Sequence, residues 1–322
     1  GCSGSEKLAG KIHMHECDQR THTHNRDLTP YVSLHVPHWE NTEEDVAGIK
    51  REFTLALLKR SSLWWFDMWG GFYQEPVLFE NFRLMKEIYD SRIRLTSRNV
   101  EEVAMIVDPD ALAYFDQRSP RQRDFQPDIR KKLNRLGAPF ETWCLRDVPS
   151  IPNLHEIKFF IFATPWEITP EKAELLNRYV LNHARTVLWF YAPGISDGKS
   201  FDESRIRRWT GADPHVSGLS VQRMNGWTSA FLRNPAELTP AMLKSLAKSA
   251  GVHLYSDAEI PVYADDRFLA LHSKEGGTMT IRLPRRTGRI TELFSGKLAA
   301  ENVSEFQWNF RAPDTVLFEM ED

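Results

Sequence analysis

Apolar and polar positions along the chain alternate between two periods. Lys11-Ile12-His13-Met14-His15-Glu16 has the short alternation of a strand. After a polar stretch, Asn41-Thr42-Glu43-Glu44 offers a cap residue and first-turn acids. Val46, Ile49, Phe53 and Leu57 then recur at near-helical spacing, which predicts a helix over 41–59 with one buried stripe. Ser62-Leu63-Trp64-Trp65-Phe66-Asp67-Met68 is apolar but too short for a typical helix. It predicts a buried strand, ended by Gly70-Gly71. Pro76 opens a second helix, where Val77, Phe82, Met85, Ile88 and Tyr89 line the inner face. Strand, helix, strand, helix is the order of parallel α/β organisation.

From about Ser97 the alternation is coarser. Val100 to Val107, Phe140 to Leu145, Lys158 to Ala163 and Thr186 to Tyr191 are apolar runs without polar alternation, as expected of strands buried on both faces. Helical stretches lie between them: Asp128 to Leu136, Pro170 to His183 and Asp202 to Trp209, with a last one from Pro240 to Ala250. The pattern predicts an open, doubly wound sheet. Beyond His253 the character changes. Short β-prone pieces (262–263, 268–272, 278–283, 290–294, 306–310, 315–318) are separated by Gly- and Pro-containing turns, which predicts a small β-sandwich.

Composition narrows this picture. The chain has 322 residues, enough for two or three domains. Apolar residues are 41% and charged residues 26%, so it is not a disordered chain. A net charge of −3 provides no general field for nucleic acid or anionic lipid. No apolar run reaches the ~18–20 residues that span a bilayer. Cys2, Cys17 and Cys144 cannot all pair and match no zinc spacing. Gly1-Cys2-Ser3-Gly4-Ser5 predicts a flexible end. A lipoprotein-like end with Cys2 as lipid acceptor is the other reading, and it keeps an extracytoplasmic location open beside a cytoplasmic one.

Several constellations could carry chemistry. His13 and His15 would share one side of a strand, but no third ligand is fixed by spacing, so no metal is expected. Glu16 ends a strand, and in an α/β barrel a carboxylate there sits on the face where active sites form. Arg20 and Thr21 could hold it ionised. Asp67 takes the matching place on the next strand, among Trp64, Trp65 and Trp69. Aromatic faces beside carboxylates suit sugars, although one of Trp64 and Trp65 must face a core because strand neighbours point opposite ways. No dinucleotide or P-loop glycine fingerprint is present, so no nucleotide cofactor is expected. The turn after Tyr191 is Ala192-Pro193-Gly194, without the Ser or Cys of a nucleophile elbow.

Residues 11–22, 64–71 and 103–108, with Val262 to Ala270 and Leu293-Phe294-Ser295-Gly296, resemble bacterial beta-galactosidase-like glycoside hydrolases of the family-42 type. The resemblance implies a partial (β/α) barrel over 1–95, carrying the last two strand–helix pairs. It implies an amidotransferase-like, flavodoxin-like α/β domain of the trimerisation type over 96–251, and a C-terminal β-sandwich over 252–322. It further implies that Glu16 is the nucleophile, that Asp18, Arg20, Trp65, Asp67 and Trp69 shape the sugar subsite, and that the chain forms a homo-oligomer, a trimer in the family. A complete barrel needs about 200 residues or more. The acid/base Glu of the family has no counterpart here. The expectation is the C-terminal part of a retaining beta-galactosidase-like enzyme, inactive alone and in need of a barrel segment. The alternatives are a non-catalytic carbohydrate-binding or assembly protein and a metal-dependent hydrolase using the N-terminal histidines.

Overall fold

The computed structural model describes residues 2–24, 37–67, 70–116, 118–119 and 123–322. The chain divides into two compact units, 1–11 with 100–254 and 12–99 with 255–322.

In the first unit a six-stranded sheet has the order β4-β3-β5-β6-β8-β7. Its strands are β3 (Val103–Val107), β4 (Phe140–Cys144), β5 (Phe159–Phe162), β6 (Thr186–Phe190), β7 (Leu219–Arg223) and β8 (Thr228–Leu232). All pair in parallel except β7, which runs antiparallel at the edge. Strand alternation divides the unit's core in two. Ala104, Ile106, Phe160, Phe162, Val187 and Trp189 face one layer, which includes Leu176 of α5 (Pro170–Tyr179) and Ile206 of α6 (Ser204–Thr210). Val103, Met105, Phe159, Ile161, Leu188 and Phe190 face the other, with Ile129 and Leu133 of α4 (Gln126–Leu133) and Leu243 and Leu246 of α7 (Pro240–Ser249). This is the doubly wound sheet that the apolar runs predict.

Two parts of this unit were not predicted. The β7–β8 hairpin escaped because Ser220 and Gln222 make β7 polar and Thr228-Ser229-Ala230 makes β8 small. The N-terminal segment, expected to be flexible, forms α1 (Ser3–Leu8). It docks on β4: Ser5 Oγ accepts the Cys144 amide at 2.8 Å and Ser3 Oγ donates to Glu141 at 2.5 Å. Gly4 lies against the Trp143 ring, where a Cβ would approach to 2.6 Å.

The second unit has three layers. β1 (Met14–Cys17) and β2 (Ser62–Trp65) pair in parallel, with Glu16 opposite Trp64. α2 (Thr42–Leu58) and α3 (Pro76–Arg92) cover one face of this pair. Asn41 caps α2 by accepting the Glu44 amide at 2.9 Å, and Glu44 in turn accepts the Glu40 amide. The far side of the helices meets the third layer, an antiparallel sheet in the order β12-β11-β13-β10-β9. Its strands are β9 (Val262–Ala264), β10 (Phe268–Ser273), β11 (Gly277–Glu292), β12 (Lys297–Phe310) and β13 (Asp314–Glu321). Ile49, Phe53, Leu57, Leu78, Met85 and Ile88 share one core with Phe268, Ala270 and Leu317. Arg92 adds an ion pair to Glu319 at 3.0 Å. Residues from both the 1–95 and the 252–322 segments thus share a core.

All five strands belong to one hydrogen-bonded sheet, yet it folds into two layers. Phe306 pairs with Ile281 and Phe318 with Glu292 on β11. On a flat sheet these β11 positions would lie ~35 Å apart. Instead the Phe306 and Phe318 rings meet edge-on at 5.2 Å, and Trp308 meets Phe318 at 5.1 Å. The ladder register shifts between Arg282 and Thr287, and such an irregularity is where a strand can bend.

Candidate functional site

Two parallel strands followed by helices on one side have the handed geometry of a (β/α) barrel, whose chemistry gathers at the strand C-termini. Alternation fixes what faces where. His15 and Cys17 turn toward α2: His15 Nε2 lies 2.8 Å from Glu52 Oε2, and Cys17 is fully buried. Glu16 turns to the open face, and Trp64 beside it is 44% exposed and lies 4.7 Å from the Phe66 ring. Trp65, expected in the sugar subsite, points the other way. Its ring packs at 4.8 Å from Phe82 and 6.0 Å from Tyr73 in the helix layer. Trp69 lies outside the described residues, as do Met68 and His35.

Beyond the strand ends the loops interlock. Phe66 donates its amide to the Cys17 carbonyl at 2.9 Å, and the Tyr73 hydroxyl donates to the same oxygen at 3.1 Å. Thr21 Oγ1 donates to the Phe72 carbonyl, and Thr23 Oγ1 to that of Gly71 at 2.8 Å. Asp67 is exposed and accepts the Phe72 amide at 3.3 Å, which ties it to the Gly70-Gly71 turn. Both glycines have positive φ (80° and 85°), a conformation costly for other residues. Asp18 is half-buried in the turn after β1. Arg20 lies over the Phe72 ring at 5.9 Å, and its buried Nε has no hydrogen-bond partner among the described residues. The sequence reading missed Tyr73. Burial, then the neighbouring Cys17, Asp67 and Asp18, push its phenol up, so it remains a hydrogen-bond donor. A Tyr two residues beyond Gly-Gly carries no recognisable signal in a single sequence.

Two groups of donors approach metal-ligand spacing, with atoms within 4.8 Å of one another: His15, Cys17 and Glu52, and His22, Asp45 and Glu75. Both are occupied by their own hydrogen bonds. Glu52 also accepts from Arg51 at 2.6 Å. Burial raises the Glu52 carboxyl, but the His15 and Arg51 bonds outweigh it and the net shift is downward. His22 bridges two acids, with Nδ1 2.5 Å from Asp45 and Nε2 3.4 Å from Glu75. Burial dominates at Asp45 and raises its carboxyl despite that partner. Burial also raises the Cys17 thiol, away from the reactive range.

In the first unit, the point where strand order reverses lies between β3 and β5. A cavity of about 210 Å³ opens there, lined by Asp108, Leu145, Arg146 and Lys172 among others. Lys172 is held by Asp108 at 2.6 Å and Glu167 at 2.5 Å, and Tyr114 also donates to Glu167. Tyr191, after β6, has φ 65°, the strained turn of a nucleophile elbow, but it places a phenol where a hydroxyl or thiol nucleophile would stand.

The fold and the strand-end cluster define a partial (β/α) barrel face joined in sequence to a doubly wound α/β sheet and an antiparallel β sheet. Solved structures share this fold. The beta-galactosidase of Rahnella sp. R3 matches with a TM-score of 0.63 at 10% identity, over 98% of this chain and 56% of that one. That of Bacillus circulans sp. alkalophilus gives 0.59 at 13% identity, over 81% and 49%. A catalytic mutant of the GH42 beta-galactosidase from G. stearothermophilus gives 0.59 at 11%, over 86% and 51%. The chain therefore spans about half the length of the beta-galactosidases whose fold it shares. No protein-family model and no curated protein matches it.

Proposed function

We propose that β1 and β2 carry half of a retaining glycosidase site for β-linked sugars, with Glu16 as nucleophile. The observation that carries this reading is the placement of Glu16 on the open face near the end of β1, directly across from the exposed Trp64. Trp64 supplies a stacking face for a sugar ring. Arg20, Asp18 and Asp67 supply hydrogen bonds from the loops that follow. Trp65 belongs to the helix layer and is not part of the proposed subsite. Retaining hydrolysis needs a second carboxyl about 5–5.5 Å from the first. That group would come from barrel strands other than β1 and β2. A polypeptide segment completing the barrel is thus the partner this reading requires, and the chain by itself is inactive on ordinary glycosides. Self-association through the α/β unit remains part of the proposal.

An activated fluorosugar with a dinitrophenolate leaving group tests the role of Glu16 without a general acid. The carboxylate attacks the anomeric carbon, the C–O bond to dinitrophenolate breaks, and the fluorine slows hydrolysis of the glycosyl ester. The expected result is one fluoroglycosyl adduct on the peptide carrying Glu16, absent in Glu16→Gln. Labelling that persists in that variant, or falls on another residue, overturns the assignment. Sugar binding without any labelling favours the second reading, a non-catalytic carbohydrate-binding protein, which the small number of barrel strands supports.

A further inference from the structure

We propose that a cavity between the first turns of α2 and the end of β10 is a subsite for an acidic hexose, a sugar ring bearing a carboxylate. The cavity measures about 200 Å³, and Trp39, Glu44, Arg51, His272, Lys274 and Pro313 are among its lining residues. That the ligand is a sugar rests on the glycosidase reading; its charge and hydrogen-bonding pattern come from the lining itself.

Three complementary features converge there. The first is a pair of cationic donors. Lys274 is exposed and has no acid partner among the described residues. Arg51 spends Nε and Nη2 on Glu52, and its Nη1 makes no hydrogen bond among the described residues. Glu44, also in the lining, accepts the Glu40 amide and keeps its negative charge, so Lys274 and Arg51 act as local donors and not as a net positive field. The second is a hydrogen-bond acceptor whose identity can be deduced. Thr315 Oγ1 donates its proton to the Ala47 carbonyl at 2.6 Å. It must therefore accept from His272 Nδ1, 2.8 Å away. Burial, with Arg51 nearby, lowers the His272 pKa to about 4, so the ring is neutral at physiological pH. With Nδ1 carrying the proton, Nε2 is left as the ring's acceptor, a group that a sugar hydroxyl can meet. The third is an apolar wall. The Trp39 indole lies against Gly48, and Pro313 adds a second apolar group to the lining. An anion, a hydroxyl and an apolar ring face together describe an acidic sugar. A free inorganic anion uses only the first feature, and a neutral sugar only the last two.

Calorimetric titration of the full chain with galacturonate, galactose and sulfate tests this directly. Galacturonate should give a single-site isotherm, with galactose and sulfate each binding about tenfold more weakly or worse. Lys274→Glu, a surface change, should weaken galacturonate about tenfold, and His272→Phe should weaken it with the charges intact. No heat from galacturonate overturns the proposal. So does equal binding of sulfate, which would mark a simple anion site, or of galactose. Loss of galacturonate binding in Glu16→Gln but not in Lys274→Glu would place the sugar on the strand face and also overturn it. The fluorosugar result does not enter this readout, so the two readings can fail separately.

Discussion

Glu16 and Trp64 stand opposite each other in the β1–β2 ladder and share its open face, while the next pair in register, Cys17 and Trp65, faces the helices. One residue of register therefore decides which tryptophan can meet a ligand and which holds the layers together. Replacing Trp65 with Ala removes a half-buried ring that packs on Tyr73 and Phe82 and should cost about 3 kcal/mol. Trp64→Ala should cost less than about 1 kcal/mol, since that side chain is 44% exposed. Urea unfolding of the two variants measures the difference. Equal losses would mean that the open face is covered in solution.

Gly48 sits inside α2, where helix propensity alone favours Ala by about 1 kcal/mol. A Cβ there would stand 2.0 Å from the Trp39 ring, far inside any permitted contact. Overpacking of this kind typically costs about 1–3 kcal/mol. Gly48→Ala should therefore destabilise the protein and shift its tryptophan emission, while Gly48→Ser should be worse. A gain in thermal midpoint for Gly48→Ala would contradict the Trp39 packing.

Lys172 neutralises Asp108 and Glu167 at the reversal point of the α/β sheet. Burial lowers its ammonium pKa, but the two acids outweigh that and the net shift is upward. Burial raises the Asp108 carboxyl, and its Lys172 partner limits the rise. Lys172→Met leaves a buried carboxylate without its cation and should cost about 3 kcal/mol at neutral pH. Part of that loss should be recovered on acidification, as Asp108 takes up a proton. A loss that does not change with pH would show that the ammonium acts only by packing.

The legible parts of this chain were those where burial writes a period into the sequence. β3, β5 and β6 are buried on both faces and spelled as unbroken apolar runs, and Asn41 and Pro76 marked the starts of α2 and α3. Relations set by tertiary contact were hidden. The separate pieces expected at 278–283 and from 290 join in one long β11, which ends at Glu292 before the turn holding Leu293 and Phe294, because the polar residues between them lie on a bend and not in a turn. The choice between Trp64 and Trp65 depended on where α2 and α3 would settle. The same holds for His15, expected beside His13 but bonded to Glu52, thirty-seven positions away.

His272 gives the protein a pH dependence whose sign can be worked out. Its pKa is lowered from 6.5 to about 4 by burial and by Arg51, against the opposing influence of Glu52 and the Asp314 backbone. Well above pH 6.5 the ring is neutral in both folded and unfolded chains and contributes nothing. As pH falls below that value the unfolded chain takes up a proton that the folded chain refuses until about pH 4, so stability is lost across this window. The full loss is of order 3 kcal/mol. Glu52, whose carboxyl is held low, also loses stability on acidification, but below the ordinary carboxylate range. Asp45, Asp108, Asp265 and Asp314, all raised by burial, act with the opposite sign: their ionised forms are unfavourable in the fold, and acid relieves that cost. The net slope of the wild type therefore mixes both signs. The difference between wild type and His272→Gln isolates the imidazole, because the carboxyl contributions nearly cancel in the subtraction. Urea midpoints at about pH 7 and about pH 5 should fall less for His272→Gln than for the wild type. Parallel falls in the two proteins would mean that His272 gains its proton in the folded state, and that Nε2 is not the acceptor a sugar hydroxyl would meet.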